Sequence, residues 1–316
     1  MQWRGQRSGV SHTGRKNKNK LIELIGSDSV GANNYSPTLN SHAGAPQGTR
    51  AGPNAFKVVI NDLSVPLPTI KYVDDVSIIS VSNQPDNPEL QNSLYDLHRW
   101  CVTSGLCLNI DKTKELVIHF GKIFTTSSVP LLTLDGEPIS RIDSFKVLGI
   151  IVSSDLTWNA HVAYIVSKAC KRLYVVYQLL RSGVAYHDIV TVYCSLIRPV
   201  LEYCCPVWHP GLTRANHDEI ESVQRRVLKL IFPQLSYHDA LFVAGLEKLE
   251  TRRQRLSVKV FNQIKSDKHI LNKLLVRREF NSGVMNFRAQ YPYILPRLKT
   301  DRAAKSLIWY GTKNKW

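Results

Sequence analysis

The sequence predicts an α+β fold, in which β-hairpins with packed helices precede a mostly α-helical region. Short apolar, β-branched pieces divided by turn residues recur between residues 44 and 152. From His161 onward the apolar residues switch to helical spacing. The chain of 316 residues, 43% hydrophobic, is long enough to bury a sizeable core. No apolar run approaches the ~18 residues of a membrane span, so no membrane partner is expected.

Residues 1–43 are rich in Lys, Arg, Asn, Ser and Gly and lack periodicity, so they are expected to be a basic, disordered stretch. Six Lys or Arg and no acid occur in the first twenty residues, yet no apolar segment follows. A secretory signal is therefore not expected, and the protein reads as intracellular, nuclear or cytoplasmic. Order should begin in "GAPQGTRAGPNAFKVVINDL", residues 44–63. Its first half is loop; Pro53 can open a helix that carries Phe56, Val59, Ile60 and Leu63 at helical spacing.

Ile70–Val73 and Val76–Val81 read as two strands joined by a tight turn at Asp74 and Asp75, because Asp tolerates turn dihedrals. Asn87 then suits an N-cap, Pro88 the first helical position and Glu89 the positive helix end. Leu90, Leu94, Leu97 and Cys101 form the apolar stripe of that helix. After Gly105 come strand-like pieces at Glu115–Phe120, Leu131–Leu134 and Phe145–Val152, with a hairpin signal at Asp135-Gly136. Four helices follow. Their apolar lines are Val162, Ile165, Val166, Ala169, Leu173, Val176, Tyr177 and Leu180; Ile189, Val192, Tyr193, Leu196, Ile197 and Val200; Ile220, Val223, Val227, Leu228 and Ile231; and Leu256, Val260 and Ile264.

The formal net charge is +16 and is unevenly placed. Sixteen Lys or Arg stand against three acids from Arg252 to Trp316. A solvated face would explain this, and so would a surface that neutralises phosphates and releases their counterions. The six cysteines include no Cys-x-x-Cys pair, so buried reduced thiols are expected rather than a zinc site.

Two adjacent acids inside a strand-like stretch, "IKYVDDVSII", cost stability unless something compensates. The plain reading is a polar hairpin turn that happens to hold two acids. The alternative is a hard cation such as Mg2+, which takes one or two carboxylates plus substrate phosphate oxygens.

"YVDD", preceded by "PQG" and followed by "LNIDKTK" and "FKVLGI", resembles the reverse transcriptases of non-LTR, LINE-type retrotransposons. The order and spacing are those of that family's polymerase palm. Further on, "LTWNAHVAYIVSKACKRLY", "SLIRPVLEYCCPVWHPGL" and "IESVQRRVLKLIFP" resemble the thumb and downstream region of jockey-, CR1- and L2-like elements. The resemblance covers roughly residues 44–310. It implies a partial palm over 44–152 and a helical, thumb-like and basic C-terminal region over 153–316.

The resemblance also implies RNA-directed DNA polymerisation by two-metal nucleotidyl transfer. The partners would be an RNA template, a DNA primer and deoxynucleotide triphosphates, with Mg2+ (or Mn2+) as cofactor. By the same resemblance Asp74 is a metal ligand, with Asp75 beside it nearer the primer end. Tyr72 lies near the primer terminus, and Pro46, Gln47 and Gly48 line the nucleotide and template. Lys114, with Lys112, stands near the leaving pyrophosphate, as charge stabiliser or proton donor. Each lysine is equally explained as an exposed loop residue. Phe145–Ile150 matches the primer-grip hairpin. Arg198, Trp208, Arg225, Arg226, Arg252, Arg253 and Arg255 are collective candidates for duplex contact.

The match has gaps. The family's second metal-binding Asp lies upstream of Pro46 in an Ala-Phe-Asp context, and here the only upstream acids are Asp28 and Glu23. The fingers are missing as well. A truncated element copy or a partial gene model is therefore expected, with polymerase activity reduced or lost. The competing reading is a non-catalytic, basic nucleic-acid-binding remnant. A third is a structural helical protein with an ordinary turn. Nothing in the sequence specifies an oligomeric state.

Overall fold

A computed structural model of the chain describes residues 3–5, 51–82, 84, 87–119, 129–277, 292–295 and 301–316. Apart from β1 (Trp3–Gly5), the stretch expected to be disordered lies outside the described residues, as do Pro46, Gln47 and Gly48. The chain forms two compact units, Met1–Asp143 and Ser144–Trp316. Helix and strand are mixed, as the α+β class requires. Among the described residues no helix is long and apolar enough to cross a membrane.

In the first unit, α1 (Ala51–Asn61) buries Ile60, and Leu63 follows it into the core. The antiparallel hairpin of β2 (Thr69–Tyr72) and β3 (Asp75–Ile78) comes next, with Tyr72 opposite Asp75. Its two-residue turn is Val73–Asp74, one position earlier than the Asp74–Asp75 turn expected from sequence. Helix α2 (Pro88–Thr103) starts at the expected cap, where the Asn87 side chain accepts from the Leu90 N–H at 3.2 Å. Leu94, Leu97 and Cys101 are buried on its inner stripe. Cys101 lies deep enough that burial pushes its thiol up to about 12.

Strand β4 (Leu106–Leu108) pairs with β1, and β5 (Lys114–Glu115) runs parallel to β8 (Ser140–Arg141). The strand expected at Glu115–Phe120 is thus much shorter, and Phe120 lies outside the described residues. Strands β6 (Thr133–Leu134) and β7 (Glu137–Pro138) meet across Asp135-Gly136, as the dipeptide predicted. Both turn residues have positive φ, 53° and 82°, which suits the right-handed twist of a tight hairpin. The Gln91 amide donates to the Thr133 backbone carbonyl at 2.7 Å and accepts from its N–H at 2.9 Å, and so fixes this hairpin to α2.

The second unit opens with the hairpin of β9 (Ser144–Val147) and β10 (Ile150–Ser153). Its long helix is α3 (Asn159–Arg181), which buries Val162, Ile165, Ala169, Leu173 and Val176. Helix α4 (Tyr186–Val192) continues through a wider π-turn at Tyr193–Ile197 into α5 (Arg198–Glu202). Pro199 explains the widening, because it lacks an N–H and its ring excludes the carbonyl four residues before it. The Arg172 guanidinium reaches back to the carbonyl of Leu196 in that turn.

Helices α6 (Cys205–Trp208), α7 (Arg214–Ile231), α8 (Tyr237–Val243) and α9 (Leu249–Ile264) complete the bundle. Two short helices follow, α10 (Asp301–Ala304) and α11 (Leu307–Lys313). The inner line of α9 is Leu249, Arg253, Ser257, Phe261 and Ile264. The apolar spacing pointed instead to Leu256 and Val260, which are only half-buried.

The interior of this unit is unusually polar. Tyr193 donates to Gln224 Oε1 at 2.7 Å, and Gln224 Nε2 donates to Tyr237 Oη at 3.1 Å and to the Glu247 carbonyl at 3.0 Å. Tyr237 in turn donates to Glu221. Three imidazoles are also enclosed. Burial pushes His161 down to about 4; burial, helped by Arg253 and His217, pushes His209 down to about 3. Burial lowers His217 too, against the nearby Glu250.

These shifts set a pH dependence. In the unfolded chain the imidazoles protonate near the ordinary value of 6.5, whereas the folded chain resists protonation until about 4 or below. Their contribution is complete above pH 6.5 and is lost as the pH falls towards 4. The urea midpoint of the helical unit is therefore expected to fall between pH 7 and pH 5, and His161→Gln to flatten the decline. An unchanged midpoint across that interval would contradict the enclosure of these rings.

Candidate functional site

The acidic hairpin owes its position to alternation and to one lysine. On β2–β3 the residues Thr69, Lys71, Val76 and Ile78 share one face, and Ile70, Tyr72, Asp75 and Ser77 share the other. Val76 is 3% exposed and anchors the inner face in the core. Lys71 lies on that inner face, and its ammonium crosses to the end of α1. It donates to the carbonyls of Ile60 at 3.1 Å, Asn61 at 3.5 Å and Leu63. The first two carbonyls belong to the last turn of the helix and the third to the segment just after it.

The outer face therefore presents Tyr72 and Asp75 side by side, with Asp74 in the turn. Tyr72 is 59% exposed, Asp74 is exposed and Asp75 half-buried. Val73 turns the chain at φ 52°, a left-handed conformation that a β-branched residue adopts only under strain. Sequence reading missed Lys71, although a lone lysine on the inner parity of a strand is a visible signal.

Lys114 is on a different small sheet, half-buried in β5. It lines a cavity of about 550 Å³ together with Cys107, Asn109, Asp111, Glu137 and Ser140. Glu115, its neighbour, is buried and holds Arg141 at 2.8 Å. Asp74, Asp75 and Tyr72 are thus brought together on one hairpin, and Lys114 sits on a separate sheet of the same unit.

In the second unit the tip of β9–β10 is held from the far end of α5. Tyr203 donates to the Leu148 carbonyl at 3.0 Å, and its ring lies where a side chain on Gly149 would stand. Gly149 has φ 90°, so glycine is required there twice over. His161 secures the other strand, its Nδ1 accepting from the Ile151 N–H at 3.3 Å.

Of the arginines and the tryptophan considered for duplex contact, most turn inward. Trp208 and Arg253 are 0% exposed, and the guanidinium sits 5.8 Å from the indole ring. Arg252 pairs with Glu202 at 2.6 Å, Arg255 with Glu247, and Arg198 with Glu202 at 3.9 Å. Arg225 and Arg226 are exposed, Arg225 lying over the Tyr237 ring.

The donor chemistry of Asp74 and Asp75 fits a hard divalent cation in kind, since both offer carboxylate oxygens at an accessible turn. Among the described residues no group of three or more His, Cys, Asp or Glu could hold a metal. Two carboxylates match a cation that completes its shell with water and substrate phosphate oxygens.

Residues 15–152 match the family described as reverse transcriptase (RNA-dependent DNA polymerase). The chain is 24% identical over 204 residues to the probable RNA-directed DNA polymerase from transposon X-element of Drosophila melanogaster, covering 61% of this chain and 22% of that protein. It is 23% identical over 248 residues to the RNA-directed DNA polymerase from mobile element jockey of Drosophila funebris, covering 72% and 24%. A third relative is the retrovirus-related Pol polyprotein from type-1 retrotransposable element R1 of Bradysia coprophila, 25% identical over 174 residues, covering 52% and 17%. The chain thus spans less than a quarter of the length of these relatives. No solved structure matches.

The lysine bridge is testable without any activity. Lys71→Met keeps the stem and removes the charge-assisted bonds to α1, so the first unit should lose about 1–2 kcal/mol of stability. Val73→Asn relieves the left-handed strain and should gain roughly 1 kcal/mol. Both are read from urea titrations; a neutral Lys71→Met would mean that the hairpin is not held by this bridge.

Proposed function

We propose RNA-directed DNA polymerisation as the ancestral function of this chain, whose residues 15–152 belong to the reverse transcriptase family and whose relatives are LINE-type retrotransposon polymerases. The observation that carries the reading is the exposed Tyr72-Val73-Asp74-Asp75 hairpin inside the matched segment. Reverse transcriptases use divalent metal ions, which supply charge stabilisation during phosphoryl transfer. In this reading Asp74 and Asp75 hold Mg2+ (or Mn2+) together with the phosphates of a deoxynucleotide triphosphate. Tyr72, opposite Asp75, lies against the primer end. The partners are an RNA template and a DNA primer.

The chain's own residues then have defined tasks. Lys71 keeps the acidic turn at a fixed distance from α1 by its bonds to the helix carbonyls. Tyr203 holds the Leu148–Gly149 tip, the segment that resembles a primer grip. Lys114 belongs beside phosphate in the cleft that it lines with Asn109 and Ser140. Pro46, Gln47 and Gly48 keep the nucleotide- and template-lining role that the resemblance implies.

The second reading is nucleic-acid binding without turnover. It is favoured by the two-carboxylate donor set among the described residues. Primer extension on an RNA template with Mg2+ separates the two. Polymerase function requires incorporation that Asp74→Asn reduces at least ~100-fold, about 2.7 kcal/mol of barrier. Lys114→Ala should give a smaller loss. Salt-sensitive RNA binding with no extension, by the wild-type chain and the variant alike, would leave only the binding reading.

A further inference from the structure

Helix α3 has a composition that its neighbours do not share. Its 23 residues contain Lys168, Lys171, Arg172 and Arg181 and no Asp or Glu. An ordinary solvated helix face intersperses both signs, which support one another three and four residues apart. Helix α7 does so, with Asp218, Glu219 and Glu221 among its basic residues. Around α9 the arginines are consumed internally by Glu202 and Glu247.

The cations of α3 are also gathered on one side. At 3.6 residues per turn, Tyr164, Lys168, Lys171, Tyr174 and Arg181 fall opposite the buried line of Val162, Ile165, Ala169, Leu173 and Val176. Lys168, Lys171 and Arg181 are exposed, and Tyr174 is 66% exposed. Among the described residues none of these three cations lies in an ion pair. The stretch from Tyr164 to Arg181 is about 25 Å long at 1.5 Å per residue.

The β9–β10 hairpin adds a fourth cation at the near end. Lys146 donates to Tyr164 Oη at 2.8 Å, and its ammonium lies 4.7 Å from that ring. Lys168 reaches the same ring at 5.9 Å. The Lys146 hydrogen bond, helped by the charge of Lys168, pulls the Tyr164 phenol below its ordinary range. The tip of the same hairpin is held by Tyr203, so Lys146 is carried on a braced element rather than a loose loop.

We propose that this face is the nucleic-acid docking surface of the helical unit, with Lys146, Lys168, Lys171 and Arg181 on phosphates and Tyr174 against the sugar-phosphate edge. The choice of nucleic acid as the polyanion rests on the polymerase reading; the assignment of the surface does not. A linear array of unneutralised cations on a rigid helix matches a regularly spaced polyanion. It differs from the set suggested by arginine content, most of which is buried or paired.

The test is binding of the full chain to a short fluorescein-labelled RNA–DNA hybrid across a salt series. Each lost phosphate contact lowers the slope of log K against log salt by ~0.9, so Lys168→Ala with Lys171→Ala should lower it by about 2. Lys168→Arg with Lys171→Arg should retain the slope. Lys248→Ala with Lys259→Ala removes the same charge from exposed positions of the same unit and should change the slope far less. An unchanged slope in the first pair, or an equal fall in the control pair, overturns the assignment. Primer extension run in parallel keeps the two readings apart. A lowered slope without extension upholds the surface and removes the polymerase; extension with an unaltered slope does the reverse.

Discussion

Asp74 and Asp75 repel one another at a turn of only two residues, and the hairpin that carries them must be held against that repulsion. Among the described residues neither acid has a basic partner in an ion pair. The support comes from the other face of the same two strands. Val76 locks into the core, and Lys71 binds the carbonyl end of α1. The inner face thus supplies the stability that the outer face spends on exposing Tyr72, Asp75 and the turn. That division is possible only because strand side chains alternate, so a cation and an acid a few residues apart serve opposite faces.

The helical unit divides its cations between interior and surface by a similar logic. Several arginines, with a planar fork and weak hydration, are placed inside or in ion pairs, Arg253 against Trp208 and Arg252 and Arg198 on Glu202, while Arg181, Arg225 and Arg226 stay exposed. Lysine, strongly hydrated, is left on the outside of α3. A buried guanidinium is costly, and burial lowers the Arg253 affinity for its proton. The nearby charges of Glu221, Glu250 and Glu202 work against that shift. The net positive charge of the chain is therefore a poor guide to where it meets a polyanion. What matters is which cations remain once the interior has taken its share.

Much of the architecture was legible in the sequence because local signals and tertiary packing agreed. Asn87-Pro88-Glu89 capped the helix it promised, and Asp135-Gly136 made its turn. Val162, Ile165, Ala169, Leu173 and Val176 of the α3 line were buried as spaced, whereas Val166 and Leu180 are half-buried and Tyr177 is exposed. The departures have physical causes. Turn preference placed Asp at both turn positions, whereas the folded hairpin accepts a strained Val73 and keeps Asp75 in the strand opposite Tyr72. In α9 Ile264 was buried as expected, but Leu256 and Val260 were each one position off, because the buried line runs through Arg253 and Ser257, which no hydrophobic count selects. Trp208 and Arg253 stood among the collective candidates for duplex contact, and the surrounding aromatic and helical packing draws both inside.

Every sheet among the described residues has two strands. Isolated two-stranded ribbons are marginal in water, so each of the three hairpins must borrow stability from a helix or its flank. Gln91 holds β6–β7 to α2, Lys71 holds β2–β3 to α1, and His161 and Tyr203 hold β9–β10 to the helical bundle. Each link is a polar side chain meeting a backbone group; Tyr203 fixes a turn, whereas Gln91, Lys71 and His161 fix strands. The acidic turn, the Leu148–Gly149 tip and Lys146 are therefore only as well placed as those few bonds. Loss of a distant tyrosine or lysine should then move chemistry-bearing residues without disturbing either hydrophobic core. In a fold of this kind, helix-to-hairpin hydrogen bonds, more than sheet pairing, define the site.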